Sequence, residues 1–237
     1  MVVVIPVQLP PEPSGFDARV RREGLAHLRE QGQDPDQCPP NRALFEMRRI
    51  MASGQERSCE YWQLARDDLR EGYTNRCVYS CFLIEPERST GGAVVSGHAI
   101  DHFRPIRLSP ARLAYEWSNL RWAWKVVDHH KANQHIPDDH DPTALQPGAF
   151  MLEESLEGLL LVTPNPALPQ DEQTRLAETV KKLGLNHYVV AKARTDCYED
   201  FMVSAEIYGP DFMRERQPFV AELFFRHPGS PPAPLES

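Results

Sequence analysis

The 237-residue sequence predicts an α+β fold that is mostly helical and has a strand-strand-helix unit at its centre. Apolar residues recur at helical spacing in the first and last thirds of the chain, whereas β-forming residues concentrate over 78–84 and 93–100. A hydrophobic content of 41% is sufficient for a buried core. The sequence has no run of about eighteen apolar residues, so we expect no membrane segment and a cytoplasmic location.

Residues 1–75 are predicted to form an N-terminal helical cap. A short strand over 2–5 precedes a proline-rich connector, which cannot form a continuous ladder of hydrogen bonds. Helices are expected over 16–28, 41–50 and 57–72, with Asn41 as the N-cap of the second. No residue of this part is interpreted as catalytic.

Residues 76–145 are predicted to form the central core. The two β-rich runs would be its strands, joined by a turn at Gly91 and Gly92, and residues 117–133 would be its helix. A C-terminal part follows over 146–228, with a hairpin of 149–152 and 159–163 and a helix over 171–183 that Gly184 closes. Two more helices meet at Gly209, and residues 229–237 are expected to be a disordered tail.

The residues that carry chemistry lie between positions 99 and 131. Asp101 and His102 are adjacent, so one side chain can point at a metal ion and the other at a water molecule. Asn119 follows His102 by seventeen residues and Asp128 follows Asn119 by nine, so a hairpin brings Asp128 back to share the metal with Asp101. Carboxylates suit Mg²⁺ or Mn²⁺, and a histidine, with an ordinary pKa of about 6.5, suits general-base catalysis. This spacing is what one-metal phosphodiester cleavage needs.

The pattern resembles the ββα-metal core of the HNH endonucleases. The resemblance rests on CVYSC at 77–81, DHFRP at 101–105, YEWSNL at 115–120, DP at 141–142 and LGLN at 183–186. It is closest to the HNH nuclease subunits that accompany an ATPase in Septu-type and retron-associated anti-phage systems. About half of the chain is covered.

This resemblance implies a metal-dependent HNH endonuclease that cleaves DNA or RNA and acts as an anti-phage effector with an ATPase partner. The chain itself has no Gly-x-x-x-x-Gly-Lys loop, so ATP hydrolysis would come from that partner. In this resemblance His102 is the general base, and Asn119 fixes His102 by hydrogen bonds to the backbone. Asp101 and Asp128 are the ligands of one Mg²⁺ or Mn²⁺, with His129 and His130 as alternatives to Asp128. Arg104 and Lys131 are the phosphate ligands.

The chain departs from the family pattern at several positions. Many members carry Asn where Asp128 stands, which bears on metal affinity, and cysteines where Trp124 and Val127 stand. The basic residue after the Arg-Pro pair is also displaced by Ile106. Without the second pair of cysteines a structural zinc ion is not expected, and the cysteines at 77 and 81 are interpreted as small buried hydrophobic residues.

The charge distribution argues against a protein that coats nucleic acid without specificity, because the net charge is −8. Between 102 and 133, however, six cations face two anions, a local charge of +4 that would hold one strand of a substrate. Five scattered cysteines fit reduced thiols. Two alternatives stay open: a catalytically degenerate HNH-fold subunit that acts as a binding or assembly scaffold, and a zinc-binding regulatory module, which Trp124 and Val127 disfavour.

Overall fold

The computed structural model describes residues 8–40, 48–50, 56–58, 60–84, 89–90, 93–94, 97–145, 148–204, 207 and 209–221. Helices alternate with antiparallel strand pairs, so the chain is α+β, as predicted. Within these residues no helix is both long and apolar enough to cross a membrane. The strand predicted over 2–5 and the tail over 229–237 lie outside the described residues.

The N-terminal part contains helices and one short strand pair. A π-helical turn at Asp17–Arg21 leads into α1 (Arg22–Glu30), and a 3-10 turn at Tyr61–Ala65 leads into α2 (Arg66–Gly72). Strands β1 (Arg48–Ile50) and β2 (Glu56–Ser58) pair antiparallel between them. The helix predicted over 41–50 is wrong at its end, because residues 48–50 form a strand. Its predicted N-cap, Asn41, lies outside the described residues. The helix predicted over 57–72 begins four residues later, at Tyr61.

The central part forms a strand-strand-helix unit, but not from the predicted residues. After the two-residue strands β3 (Ser89–Thr90) and β4 (Ala93–Val94), β5 (His98–His102) pairs antiparallel with β6 (Leu120–Trp124), and α3 (Lys125–Lys131) follows directly. Residues 78–84 are a turn with one isolated bridge, not a strand. The predicted helix over 117–133 is wrong in its first half, because residues 120–124 pair with β5 as a strand and the helix begins only at Lys125.

In the C-terminal part, the described strands and helices lie close to their predicted positions. Strands β7 (Phe150–Glu154) and β8 (Leu160–Pro164) form the expected hairpin. Helix α4 (Gln170–Lys182) ends before Gly184, whose φ of +61° is the left-handed conformation predicted for it. Helices α5 (Tyr188–Ser204) and α6 (Pro210–Arg216) are separated around Gly209.

A continuous hydrophobic core joins the N-terminal helices to the central unit. It runs from Phe16 and Leu28 through Tyr115 and Trp122 to residues of α4 and α5. Helix α1 approaches Tyr115 so closely that a Cβ on Gly24 would lie 2.3 Å from the tyrosine ring. The N-terminal part therefore packs directly on the segment that surrounds the predicted site.

Candidate active site on the β5–β6 hairpin

Strand β5 ends in the two residues on which the predicted chemistry depends. Asp101 lies opposite Arg121 of β6, and His102 lies opposite Leu120. Neighbouring side chains on a strand point to opposite faces, so the two functional groups leave the strand in different directions. Their adjacency on the strand therefore places the two functional groups in different surroundings.

Asp101 is buried, with 4% of its side chain exposed, and its two oxygens have different partners. The Lys131 ammonium donates to Oδ1 at 2.9 Å, and the Tyr79 hydroxyl donates to Oδ2 at 2.5 Å. Burial and the neighbouring carboxylate raise the pKa of Tyr79 well above its ordinary value, so this hydroxyl keeps its proton. The two oxygens of Asp101 therefore bind one cation and one neutral donor.

His102 is fixed through one ring nitrogen and one ring face. Its Nε2 lies 3.1 Å from the carbonyl oxygen of Ala114, and its ring meets the Trp62 ring edge-on, with centroids 4.9 Å apart. A carbonyl oxygen can only accept a hydrogen bond, so Nε2 carries the hydrogen and the lone pair of the neutral ring is on Nδ1. Nδ1 is therefore the atom of His102 that can accept a proton.

Asn119 bonds backbone on the loop between the two strands, as predicted. Its Oδ1 accepts from the amide of Arg104 at 2.7 Å, and its Nδ2 donates to the carbonyls of Arg104 and Leu113 at 3.1 and 2.9 Å. The carbonyl of Asn119 also accepts from the amide of Phe103 at 2.9 Å. The buried side chain of Asn119 thus holds the backbone that follows His102. Its bond to the Leu113 carbonyl also holds the residue before Ala114, whose carbonyl lies next to the His102 ring.

Helix α3 brings Asp128 to the same cavity as Asp101 and His102. The cavity has a volume of about 420 Å³. Val127 and Lys131 lie on the buried face of the helix, which packs on the hairpin. Asp128 and Ala132, the residues that follow them, lie on the neighbouring face and line the cavity. The remaining lining comes from Glu60, Trp62, Gln63, Arg66, His98, Ala99, Ile100, Pro105, Ile106, His129 and Asn133.

The two alternative ligands of α3 point in different directions. His129 lines the cavity beside Asp128. His130 packs on the other side of the helix, with its ring centroid 4.3 Å from that of His187 and its ring next to Gly184. Burial, followed by His187 and His129, lowers the pKa of His130, so this ring is neutral near pH 7. Of the two, only His129 shares a cavity with Asp101.

The predicted basic face is largely paired within the protein. Lys131 is completely buried, and besides Asp101 its ammonium binds the carbonyl of His102 at 2.7 Å. Arg104 is half-exposed and pairs with Asp138 at 2.6 Å. Arg112 and Arg121 also form ion pairs, with Asp36 and Asp141. Lys131 therefore faces the interior, which differs from the predicted phosphate ligand, and the local charge of +4 is mostly compensated by acids outside residues 102–133.

The oxygen donors fit one Mg²⁺ or Mn²⁺ by chemical type. Within the described ranges no three His, Cys, Asp or Glu residues are grouped as a metal site would require. These ions, however, commonly bind one or two carboxylates and complete their coordination with water and phosphate oxygens. Asp101 and Asp128 line one cavity and are the two residues that would supply these carboxylates, and Asp101 already shares its charge with Lys131.

Cys77 and Cys81 do not belong to the cavity lining. Cys77 is fully buried, Cys81 is partly so, and both are free thiols. Burial raises the pKa of Cys77, and raises that of Cys81 to about 12, so both remain protonated thiols. This agrees with their interpretation as small buried residues.

Several residues that shape the site were not found from the sequence. Tyr79 binds Asp101, Trp62 packs on His102, and Arg66 and Gln63 line the cavity from the N-terminal part. Tyr79 lies inside the CVYSC segment at 77–81 that supports the family resemblance, so the sequence does carry a signal for this residue. Trp62 and Arg66 carried none, because their contacts depend on how the N-terminal part packs.

Comparisons with protein-family models, with curated proteins and with solved structures returned no match.

Proposed function

We propose that this protein is a metal-dependent endonuclease of the HNH type that hydrolyses phosphodiester bonds of DNA or RNA. The observation that carries the proposal is that Asp101, His102 and Asp128 line one cavity at the junction of β5 and α3. The strand-strand-helix order supports it, because this order is that of a ββα-metal core. His102 would be the general base, and Asp101 and Asp128 would hold one Mg²⁺ or Mn²⁺.

The chemistry assigns each group one task. Nδ1 of His102 takes a proton from water as the water oxygen bonds to phosphorus, and the bond from phosphorus to the leaving oxygen breaks. The leaving oxygen is protonated from solvent. When bound, the metal ion stabilises negative charge on the phosphate and on the leaving oxygen. Asn119 holds the loop after β5, and Trp62 and the Ala114 carbonyl hold the imidazole with Nδ1 as the acceptor.

The partner proposal rests on the sequence resemblance alone. We propose that the nuclease acts in anti-phage defence together with an ATPase. A net charge of −8 agrees with a protein that does not grip nucleic acid alone, so cleavage assays should be run with and without a co-expressed ATPase.

The alternative is a catalytically degenerate subunit that acts as a scaffold. One observation favours it: the Lys131 ammonium occupies Oδ1 of Asp101, and Tyr79 binds Oδ2. A metal ion at Asp101 would have to share this carboxylate with a fixed cation. The two functions therefore differ in whether the protein binds a divalent ion.

The test compares two substitutions of Asp128. Asp128→Asn keeps one oxygen ligand at nearly the same reach and should retain substantial cleavage, whereas Asp128→Ala should weaken Mn²⁺ binding and cleavage together, by more than about 100-fold. Glu178→Ala removes an exposed acid from α4 and should change neither quantity. Mn²⁺ binding would be measured calorimetrically, and cleavage on labelled DNA and RNA.

Two results would count against the nuclease. If Asp128→Ala leaves metal affinity and cleavage unchanged, Asp128 is not a ligand, and His129, which lines the same cavity, becomes the candidate. If the parent protein binds no divalent ion and cuts neither DNA nor RNA with its partner present, the scaffold function is the correct one.

A further inference from the structure

The proposed nuclease needs a cation at its cavity to hold the substrate phosphate, and neither predicted cation is well suited to the task. Lys131 is buried against Asp101, and Arg104 is paired with Asp138. Arg107 and Lys125 are exposed but do not belong to the cavity lining. The same lining contains Asp101, Asp128 and Glu60, and of these Asp101 is paired with Lys131.

Arg66, the first residue of α2, has the required properties. Its side chain is exposed and lines the cavity together with Gln63 and Trp62. Its guanidinium Nη2 donates to Gln63 Oε1 at 3.0 Å, and no acid among the residues that the structure describes lies within ion-pair distance of it. A guanidinium anchored by a neutral amide keeps its full charge and most of its donors for a phosphate.

The Trp62 contact connects this cation to the predicted general base. Trp62 packs on the His102 ring at 4.9 Å, and Gln63 and Arg66 follow it in the same 3-10 turn and helix. A phosphate bound by Arg66 would therefore lie in the cavity onto which His102 opens. Arginine suits this task because its planar fork can bind two phosphate oxygens at once.

We propose that Arg66, oriented by Gln63, binds a backbone phosphate of the nucleic-acid substrate and positions it in the cavity beside His102. This inference rests on the proposed nuclease function and adds to it a substrate contact from the N-terminal part of the chain. Arg66 is a positioning residue, since the proton transfer belongs to His102.

The experiment compares Arg66→Gln, Arg66→Lys and the control Arg70→Gln. Arg70 lies one turn further along α2, is exposed and pairs with Asp67 at 3.5 Å, so its substitution removes the same charge from the same helix outside the cavity. Binding of fluorescent single-stranded DNA, duplex DNA and RNA would be measured by anisotropy in EDTA across a salt series. Steady-state cleavage in Mn²⁺ would then give kcat and KM.

Arg66→Gln should weaken binding roughly ten-fold, lower the slope of log Kd against log salt by about one, and raise KM by a similar factor with little change in kcat. Arg66→Lys should recover part of the affinity, because it restores the charge without the fork. Arg70→Gln should bind and cut as the parent does, and melting curves should be the same for all variants, because both side chains are exposed.

Failure of this inference is distinguishable from failure of the nuclease proposal. If the parent cuts and Arg66→Gln matches Arg70→Gln in affinity, salt slope and KM, the phosphate contact is wrong and the nuclease stands. If the parent binds nucleic acid without cutting and Arg66→Gln alone weakens binding, the contact stands and the nuclease does not. A parent that binds none of the three probes, either alone or together with the co-expressed ATPase, overturns the phosphate contact.

Discussion

Replacing Lys131 by methionine should lower the free energy of unfolding by about 3 to 5 kcal/mol, the usual loss when one partner of a buried ion pair is removed. The Lys131 side chain is 0% exposed and that of Asp101 is 4% exposed. Methionine fills most of the space of the lysine stem, so the loss comes from charge and hydrogen bonding. The substitution leaves the Asp101 carboxylate buried with the Tyr79 hydroxyl, and leaves the His102 carbonyl without its 2.7 Å bond.

Combining Lys131→Met with Asp101→Asn should recover a large part of this loss, because the second change removes the uncompensated charge. We expect a coupling energy of about 2 to 3 kcal/mol from the double-mutant cycle. Urea unfolding followed by tryptophan fluorescence measures each variant at neutral pH, with Lys181→Met, an exposed lysine of α4, as a control expected to change stability by less than about 0.5 kcal/mol. If the effects of the two single substitutions add within about 0.5 kcal/mol, the buried pair does not contribute as described.

The same variant separates the two candidate functions. If Asp101 binds a metal ion, Mn²⁺ can replace the missing ammonium charge, so it should stabilise Lys131→Met more than it stabilises the parent. Equal stabilisation, or none, would mean that Asp101 is not a ligand and would favour the scaffold.

Three further outcomes are expected, and zinc analysis adds a fourth. His102→Ala should reduce cleavage at least about 100-fold with the fold intact, and a variant that folds normally and cuts like the parent would remove His102 from the mechanism. Asn119→Ala should lower the free energy of unfolding by about 3 kcal/mol, because it leaves buried backbone groups of the loop without these hydrogen-bond partners. A decrease below about 1 kcal/mol in urea unfolding would contradict this. Burial raises the pKa of Tyr73 to about 12 from the ordinary 10. The stability that the neutral hydroxyl contributes is therefore present below pH 10 and is lost as the pH rises toward 12, by up to about 2 to 3 kcal/mol. Tyr73→Phe should make the free energy of unfolding depend less steeply on pH in this range, and an unchanged profile would exclude Tyr73 as the source of that dependence. Protein purified without added metal should contain no stoichiometric zinc, and one tightly held equivalent would contradict the interpretation of Cys77 and Cys81 as buried thiols.

Local signals in the sequence determined the elements whose form depends on near neighbours. The C-terminal hairpin and α4 were predicted almost to the residue, since an apolar stripe and a glycine suited to positive φ define such a helix without distant partners. The backbone bonds of Asn119 were also predictable, because an amide both donates and accepts and its partners lie on the adjoining loop. Asp101, His102 and Asp128, whose spacing predicts a shared site, are three of the fifteen residues that line one cavity.

Tertiary structure decided what depends on long-range contacts. The segment 120–124 is buried along nearly its whole length, including Arg121, so it lacks the alternation of buried and exposed residues that identifies a strand, and only its pairing with β5 makes it one. Lys131 is predicted from the sequence to bind phosphate, but packing of α3 on the hairpin places its ammonium against Asp101, thirty residues earlier. The approach of the 3-10 turn to β5 likewise brings Arg66 to the cavity. A sequence lists charges and their spacing, whereas burial and the partner of each charge are fixed only when distant segments pack together.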